Sequence, residues 1–281
     1  MTSDDQAASK DPSAELRRTQ SEVSLCYREL GRGPTVVMLH GTTATLGIWD
    51  PIATRTSRSA RVIAVDQRGH GRSDKPATGY TVTEFCDDLH AVIAELGCAP
   101  AVIVGHSLGA RNAVVLAATH PGLVAGVVAL DYTPYIEPEV LDELEQRVRA
   151  GDRTFGSSSE IADYLRARYP LMPPDAVQRR VEYGYYLSGE GYLPYADPGA
   201  MVQTVDGLRR DFVDELRAVR CPVTLLRGAQ SRLVSPTAFA RTRADRPDLR
   251  AETVPDADHY LPEVAPGAVC TAIERMLADV T

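Results

Sequence analysis

No stretch of this sequence approaches the eighteen or so consecutive apolar residues of a membrane-spanning helix. The first twenty residues lack the apolar core of a secretory signal and carry Asp4, Asp5, Lys10 and Asp11 instead. Both absences predict a cytoplasmic protein with no membrane partner. Basic clusters longer than a pair or so are also missing, and the formal net charge is −8, so nothing offers an electrostatic footprint for nucleic acid. An uncharged or cationic small partner is easier to accommodate on that balance. Paired cysteine spacing is absent: Cys26, Cys86, Cys98, Cys221 and Cys270 are scattered and odd in number, which describes no disulfide framework and predicts reduced, mostly buried thiols. The histidines, His40, His70, His90, His106, His120 and His259, lie far apart with no zinc-site spacing, so no metal is expected.

What is present is ordinary globular composition, 44% hydrophobic and 24% charged, and it separates no enzyme from a binding module. Pattern must decide. Residues 1–20 are polar and aperiodic and read as a mobile tail. Beyond them, short β-branched apolar runs at 35–39, 61–65, 101–104, 125–130, 223–226 and 251–254 suit strands covered on both faces. Helical patterns at 82–96, 108–119 and 267–278 alternate with them, which predicts an α/β fold with a mostly parallel central sheet flanked by helices. The alternation fails across 132–208, where Pro134, Pro138, Pro170, Pro173, Pro174, Pro194 and Pro198 punctuate three or so amphipathic helices. That stretch reads as a helical cap inserted into a core made of 21–131 and 209–281. Its tyrosines, Tyr183, Tyr185, Tyr186, Tyr192 and Tyr195, either pack cap on core or line a pocket.

After the run at 101–104 comes Gly105-His106-Ser107-Leu108-Gly109, followed by a helix. A serine held on a sharp strand-to-helix turn needs small residues on both sides, and the turn lifts its hydroxyl clear of the sheet at a helix N-terminus. Free amides and the helix dipole there favour a developing anion. Ser107 is therefore the candidate nucleophile.

With this motif in place, the sequence from about residue 34 to the C-terminus resembles the α/β-hydrolase superfamily, in its serine esterase and lactonase branch. His40-Gly41-Thr42-Thr43 follows the strand after which that family builds half of its oxyanion hole; Asp66 to Ser73 resembles its structural turn; Asp258-His259 follows the last strand, where it carries the catalytic base. The resemblance implies backbone amides of Leu108 and of Thr42 or Thr43 as the oxyanion hole. It also implies scaffold roles for His40 and for the turn, while Thr43, His106, Tyr132 and Tyr186 are candidate substrate contacts.

A serine hydroxyl must lose its proton to a base that titrates near neutrality, and His259 has the right order and place. The acid departs from the commonest pattern. Many family members carry it just after the strand at 223–226, but Arg227 to Ser235 contains no carboxylate and offers Ser231 or Arg232 instead. Some branches take the acid from the end of the strand after the nucleophile's helix, where Asp131 stands. Asp256 and Asp258 are weaker candidates because they sit too close to His259 along the chain, and a site with no acid at all remains open.

These residues predict hydrolysis of an ester, lactone or thioester of a small hydrophobic molecule through an acyl-enzyme on Ser107, without a cofactor. Serine at the nucleophile position disfavours the epoxide hydrolase and haloalkane dehalogenase branches, which need a carboxylate there. Two alternatives stand beside this: a carbon–carbon bond hydrolase or other non-hydrolytic enzyme using the same pocket, and a non-catalytic ligand-binding protein on the same fold. A homodimer is compatible with all three.

Overall fold

The computed structural model describes residues 16–281. Within it the strands are β1 (Leu16–Arg18), β2 (Cys26–Leu30), β3 (Thr35–Leu39), β4 (Arg61–Val65), β5 (Ala101–His106), β6 (Val124–Leu130), β7 (Tyr185–Ser188), β8 (Gly191–Pro194), β9 (Val223–Gly228) and β10 (Arg250–Val254). Eight of them form one sheet in the order β1-β2-β4-β3-β5-β6-β9-β10, while β7 and β8 pair separately. The two pairings that involve β2 are antiparallel, and every pairing from β4 to β10 is parallel.

The parallel strands read as continuous apolar runs because alternate residues feed two cores. Val37, Leu39, Ile63 and Ile103 face one side. Val36, Met38, Val62, Val102 and Val104 face the other. Helices α1 (Asp50–Thr56), α2 (Val82–Glu95) and α3 (Leu108–Thr119) cover the N-terminal half of this sheet. Leu89 and Val92 of α2 pack into the first core, and Ile52 of α1 packs into the second.

Between β6 and β9 lie α4 (Pro138–Gly151), α5 (Ser158–Arg168), α6 (Pro174–Gly184), the β7–β8 hairpin, α7 (Pro198–Asp206) and α8 (Val213–Ala218). Phe155, Ile161, Leu165, Ala176 and Val177 give this stretch a core of its own. Met201 and Val205 of α7 pack with Leu108 and Phe85 of the sheet layer. The chain closes with α9 (Pro236–Asp245), α10 (Leu261–Val264) and α11 (Pro266–Val280).

Two expectations need correction, and one strand was missed. Residues 1–15 of the expected tail lie outside the described residues, but residues 16–18 are the edge strand β1, held to β2 from Leu16↔Arg28 to Arg18↔Cys26. β2 itself gave no strand signal, because Arg28 and Glu29 are polar. Those side chains are satisfied sideways: Arg28 pairs with Asp50, and Glu29 accepts from Arg61 Nε at 2.7 Å. The stretch 132–208, read as a cap of three or so amphipathic helices, also contains the β7–β8 hairpin, with Phe155 bridged to Tyr192. Its second strand was hidden by Gly191 and Pro194. Among the described residues, no helix is long and apolar enough to cross a membrane.

Strand register sets the site. Leu39 lies opposite Gly105, Gly105 opposite Ala129, and Leu130 opposite Leu226. The carboxyl ends of β3, β5, β6 and β9 therefore stop level with one another, and the segments that follow them converge on one edge, where open α/β sheets hold their ligands.

Candidate active site

Ser107 sits between β5 and α3 with φ 53 and ψ −112, a left-handed backbone that a side chain adopts only under constraint. The constraint is packing on both sides. A Cβ on Gly105 would stand 2.3 Å from Gly109 O, and one on Gly109 would stand 2.2 Å from Leu39 O. Only glycine lets the turn close this tightly against β3. Ser107 N donates to Leu130 O at 3.0 Å, and Ser107 O opens α3 by accepting from Ala110 N and Arg111 N, both at 3.0 Å.

Asp131, directly after β6, is fully buried and also left-handed, with φ 46. Its Oδ1 accepts from Gly228 N at 2.9 Å. Oδ2 takes the Ser231 hydroxyl and lies 2.8 Å from His259 Nδ1. The imidazole is thus tied through Nδ1 to a carboxylate 128 residues away, on another strand end. Asp258 is used locally, its Oδ1 accepting from Tyr260 N at 2.9 Å.

The segment after β3 is fixed by buried polar groups. His40 Nδ1 lies 2.8 Å from Gly41 O, Gln67 N donates to His40 Nε2, and Gln67 Nε2 donates to His40 O. Asn112 of α3 holds Gln67 in turn, with Nδ2 to Oε1 2.6 Å. Burial lowers the His40 pKa to about 4, so the ring is neutral and structural. Asp66, also fully buried, accepts from Leu46 N and Arg72 N, and burial raises its pKa. His40 and the turn at 66–73 therefore hold the segment after β3 in place through their own hydrogen bonds.

Ser107, His106, His259, Thr42 and Thr43 line a cavity of about 310 Å³. Its far wall comes from α4, the end of α5, α6 and the loop after β9, and brings Arg147, Arg168, Tyr169, Arg180 and Arg232. Arg180 is neutralised by Glu263, with Nε to Oε1 at 2.7 Å and Nη2 to Oε2 at 2.5 Å. Arg147, Arg168 and Arg232 have no carboxylate within 4.0 Å among the described residues. Arg168 instead donates to the hydroxyls of Tyr169 and Tyr164, at 3.0 and 2.7 Å. Burial alone would push the Tyr169 phenol up, but Arg180 and Arg168 outweigh it and the net shift is downward.

His106 lines this cavity, yet its Nε2 lies 2.8 Å from His259 O and its ring 4.6 Å from the His259 ring. Burial, then His259, drives its pKa well below the ordinary value, so the neutral ring buttresses the His259 loop. Tyr132 and Tyr186 require correction as substrate contacts. Tyr132 is 5% exposed and faces a separate small cavity. Tyr186 is 39% exposed, stacks on Tyr195 at 4.9 Å and lines an open groove with Lys75 and Asp152. The arginines of the cavity wall were missed because Arg147, Arg168 and Arg180 lie in amphipathic helices and look like a solvated face, and Arg232 lies in a loop; Arg147 and Arg232 stay exposed while lining the cavity.

Residues 34–266 match the model of the alpha/beta hydrolase fold, and the chain belongs to that family. It is 47% identical over 255 residues to 2-(acetamidomethylene)succinate hydrolase of Mesorhizobium japonicum, covering 91% of this chain and 92% of the relative. A crystal structure of E-2-(acetamidomethylene)succinate hydrolase superimposes with a TM-score of 0.92 at 46% identity, covering 94% of this chain and 98% of that one. An esterase of Mycobacterium tuberculosis is 31% identical over 242 residues, covering 82% of this chain and 78% of the relative. The chain is a hydrolase of the α/β fold.

Proposed function

We propose that this hydrolase cleaves the acyl–nitrogen bond of a small unsaturated dicarboxylate of the (acetamidomethylene)succinate kind, through an acyl-enzyme on Ser107. The observation that carries the reading is the set of guanidinium groups without carboxylate partners, Arg147, Arg168 and Arg232, on the wall of the nucleophile's cavity. Arg168 is half-buried, Arg147 and Arg232 are exposed while lining the same wall, and arginine matches carboxylate geometry with paired donors. This replaces the hydrophobic guest expected from the sequence. The relatives named for a dicarboxylic amide support the same choice.

In this reading the roles are Ser107 as nucleophile, His259 as base and Asp131 as the acid that orients it. Ser107 Oγ attacks the acyl carbonyl and its proton passes to His259 Nε2. Asp131 holds Nδ1 and stabilises the imidazolium. Negative charge on the former carbonyl oxygen is met by the amides of Leu108 and Thr42. His259 gives the proton to the leaving nitrogen, the carbon–nitrogen bond breaks, and water, deprotonated by His259, releases the acid and restores Ser107. The ester, lactone and thioester substrates expected from the sequence follow the same steps with an oxygen or sulfur leaving group.

Steady-state kinetics on (acetamidomethylene)succinate and on its dimethyl ester test the reading. Turnover of the dianion that Ser107→Ala abolishes, with KM raised about tenfold or more in Arg147→Met, is expected. Turnover of the diester with none of the dianion would overturn it in favour of an uncharged ester.

A further inference from the structure

Beside the nucleophile's cavity lies a second lobe of about 70 Å³, and Thr43, Ala44, Val148, Arg168 and Tyr169 line both spaces. Ser107, His259, Gln230 and Arg232 line only the first. The walls of the lobe are the segment after β3, helices α4 and α5, the end of the hairpin at Pro194, and Met201 of α7. Its surface is largely carbon, from Ala44, Val148, Leu165, Ala196 and Met201.

The polar heads on this wall have other partners. Arg168 gives Nε to the Tyr169 hydroxyl, Nη1 to the Tyr164 hydroxyl and Nη2 to Arg147 O. Arg180 is bound to Glu263, and the Thr45 hydroxyl accepts from Gly47 N at 3.4 Å. Arg147 and Asp152 are exposed to solvent. A guest in the lobe therefore meets mainly methyl, methylene and ring surface, which favours an apolar chain.

Reaction chemistry divides the two spaces between the two halves of a substrate. His259 gives its proton to the leaving nitrogen, so the leaving group lies on the side of His259, where Gln230 and Arg232 line the cavity. The acyl chain departs from the carbonyl carbon in the opposite direction, toward space that His259 does not line, and the lobe at Thr43 and Ala44 is such a space. The small cavity at Ser107 and Leu108 has room for about one water and takes no chain. We infer that the lobe holds the acyl chain, and that this hydrolase accepts unbranched aliphatic acyl groups longer than acetyl. The lobe has room for about five water-sized groups, and a methylene is of similar size, which sets the preferred acyl group at about four to six carbons. The inference rests on the acyl-enzyme at Ser107 proposed above, but not on the charge of the leaving group.

The test uses the full chain with methylboronic and n-butylboronic acid, whose boron bonds to a nucleophilic serine oxygen and whose alkyl group then stands where an acyl chain would. A crystal soaked in the butyl compound should show boron on Ser107 Oγ and the chain between Ala44, Val148 and Met201. In competition with fluorophosphonate labelling, n-butylboronic acid should bind about tenfold or more tightly than methylboronic acid. Gly184 lines the lobe, and a Cβ there meets nothing within 4 Å, so Gly184→Leu is expected to fold. It should weaken the butyl compound about tenfold and leave the methyl compound unchanged. If that variant does not fold, the crystal decides. A butyl chain lying beside Gln230 and Arg232, or equal affinity for the two acids, would overturn the lobe as the acyl site. Failure of both acids to bond to Ser107 would instead overturn the acyl-enzyme on which it rests.

Discussion

The Ser231 hydroxyl donates a hydrogen bond to Oδ2 of Asp131, the same carboxylate oxygen that lies 2.8 Å from His259 Nδ1. The hydroxyl is itself anchored, accepting from Val234 N at 3.0 Å and Leu233 N at 3.3 Å. Ser231 thus stands after β9 and supports the Asp131 carboxylate, which follows the neighbouring strand β6. A hydrogen bond to a charged group contributes about 1.5–3 kcal/mol. Ser231→Ala should lower kcat about tenfold or more while the protein stays folded, and Ser231→Thr should recover part of it. Unchanged kcat in Ser231→Ala would show that Gly228 N alone orients the carboxylate.

Asp131→Asn keeps the shape of the buried side chain but reverses the hydrogen-bond logic at Nδ1. In a serine protease the equivalent change costs about 10⁴ in kcat. A loss of similar order is expected here, read without knowledge of the substrate as slowed adduct formation with a fluorophosphonate, followed by intact mass. Wild type should gain one adduct and Ser107→Ala none. Labelling of Asp131→Asn at the wild-type rate would remove Asp131 from the machinery.

The buried histidines predict loss of stability in mild acid. His40 titrates at about 4 in the folded chain against 6.5 when free, and His70 and His106 are held well below 6.5, chiefly by burial. Their folded values are depressed, so the unfolded state binds more protons below pH 6.5 and stability falls as pH drops from there toward 4. Asp66 and Asp88, both raised chiefly by burial, work the opposite way from their free value of 3.8 upward and offset part of the fall. Tm should fall steadily between pH 7 and pH 5, and less steeply in a folded His40→Gln variant. A flat Tm over that range would contradict neutral burial of these rings.

Removing one member of the Arg180–Glu263 pair should cost more than removing a surface charge. Glu263 is 2% exposed and takes both of its contacts from Arg180, so Arg180→Met leaves a buried carboxylate alone. Breaking such a pair costs about 3–5 kcal/mol, whereas an exposed pair contributes about 0–1 kcal/mol. Urea unfolding should place Arg180→Met well below Arg166→Met, whose partner Asp163 is exposed. Equal midpoints would show that Glu263 finds water or another donor.

The central strands were legible because burial on both faces leaves a continuous apolar run, as at Val36, Val37 and Met38. β2 was not, because Arg28 and Glu29 are satisfied by side-chain partners far along the chain, which no local pattern announces. Asp131 was legible only through the resemblance: residues 227–235 carry no carboxylate, and some branches of the family take the acid from the end of the strand after the nucleophile's helix. The contribution of Arg147 was not legible: in Glu145-Gln146-Arg147 it reads as solvated helix surface, and it is exposed, yet the position of α4 makes it line the cavity. Tyr132 was singled out next to Asp131, but an abrupt left-handed residue sends the chain, and that ring, away from the nucleophile's main cavity.

In the proposed reading the acid stands on β6, so the loop after β9 enters the proton chemistry only through the hydroxyl of Ser231, which Leu233 N and Val234 N hold in place. Its next residue, Arg232, is exposed and lines the cavity. A change of charge at Arg232 alone alters the cavity wall while leaving His259 and Asp131 where they are, so this one position is where new substrate preferences can arise at least risk to the reaction itself.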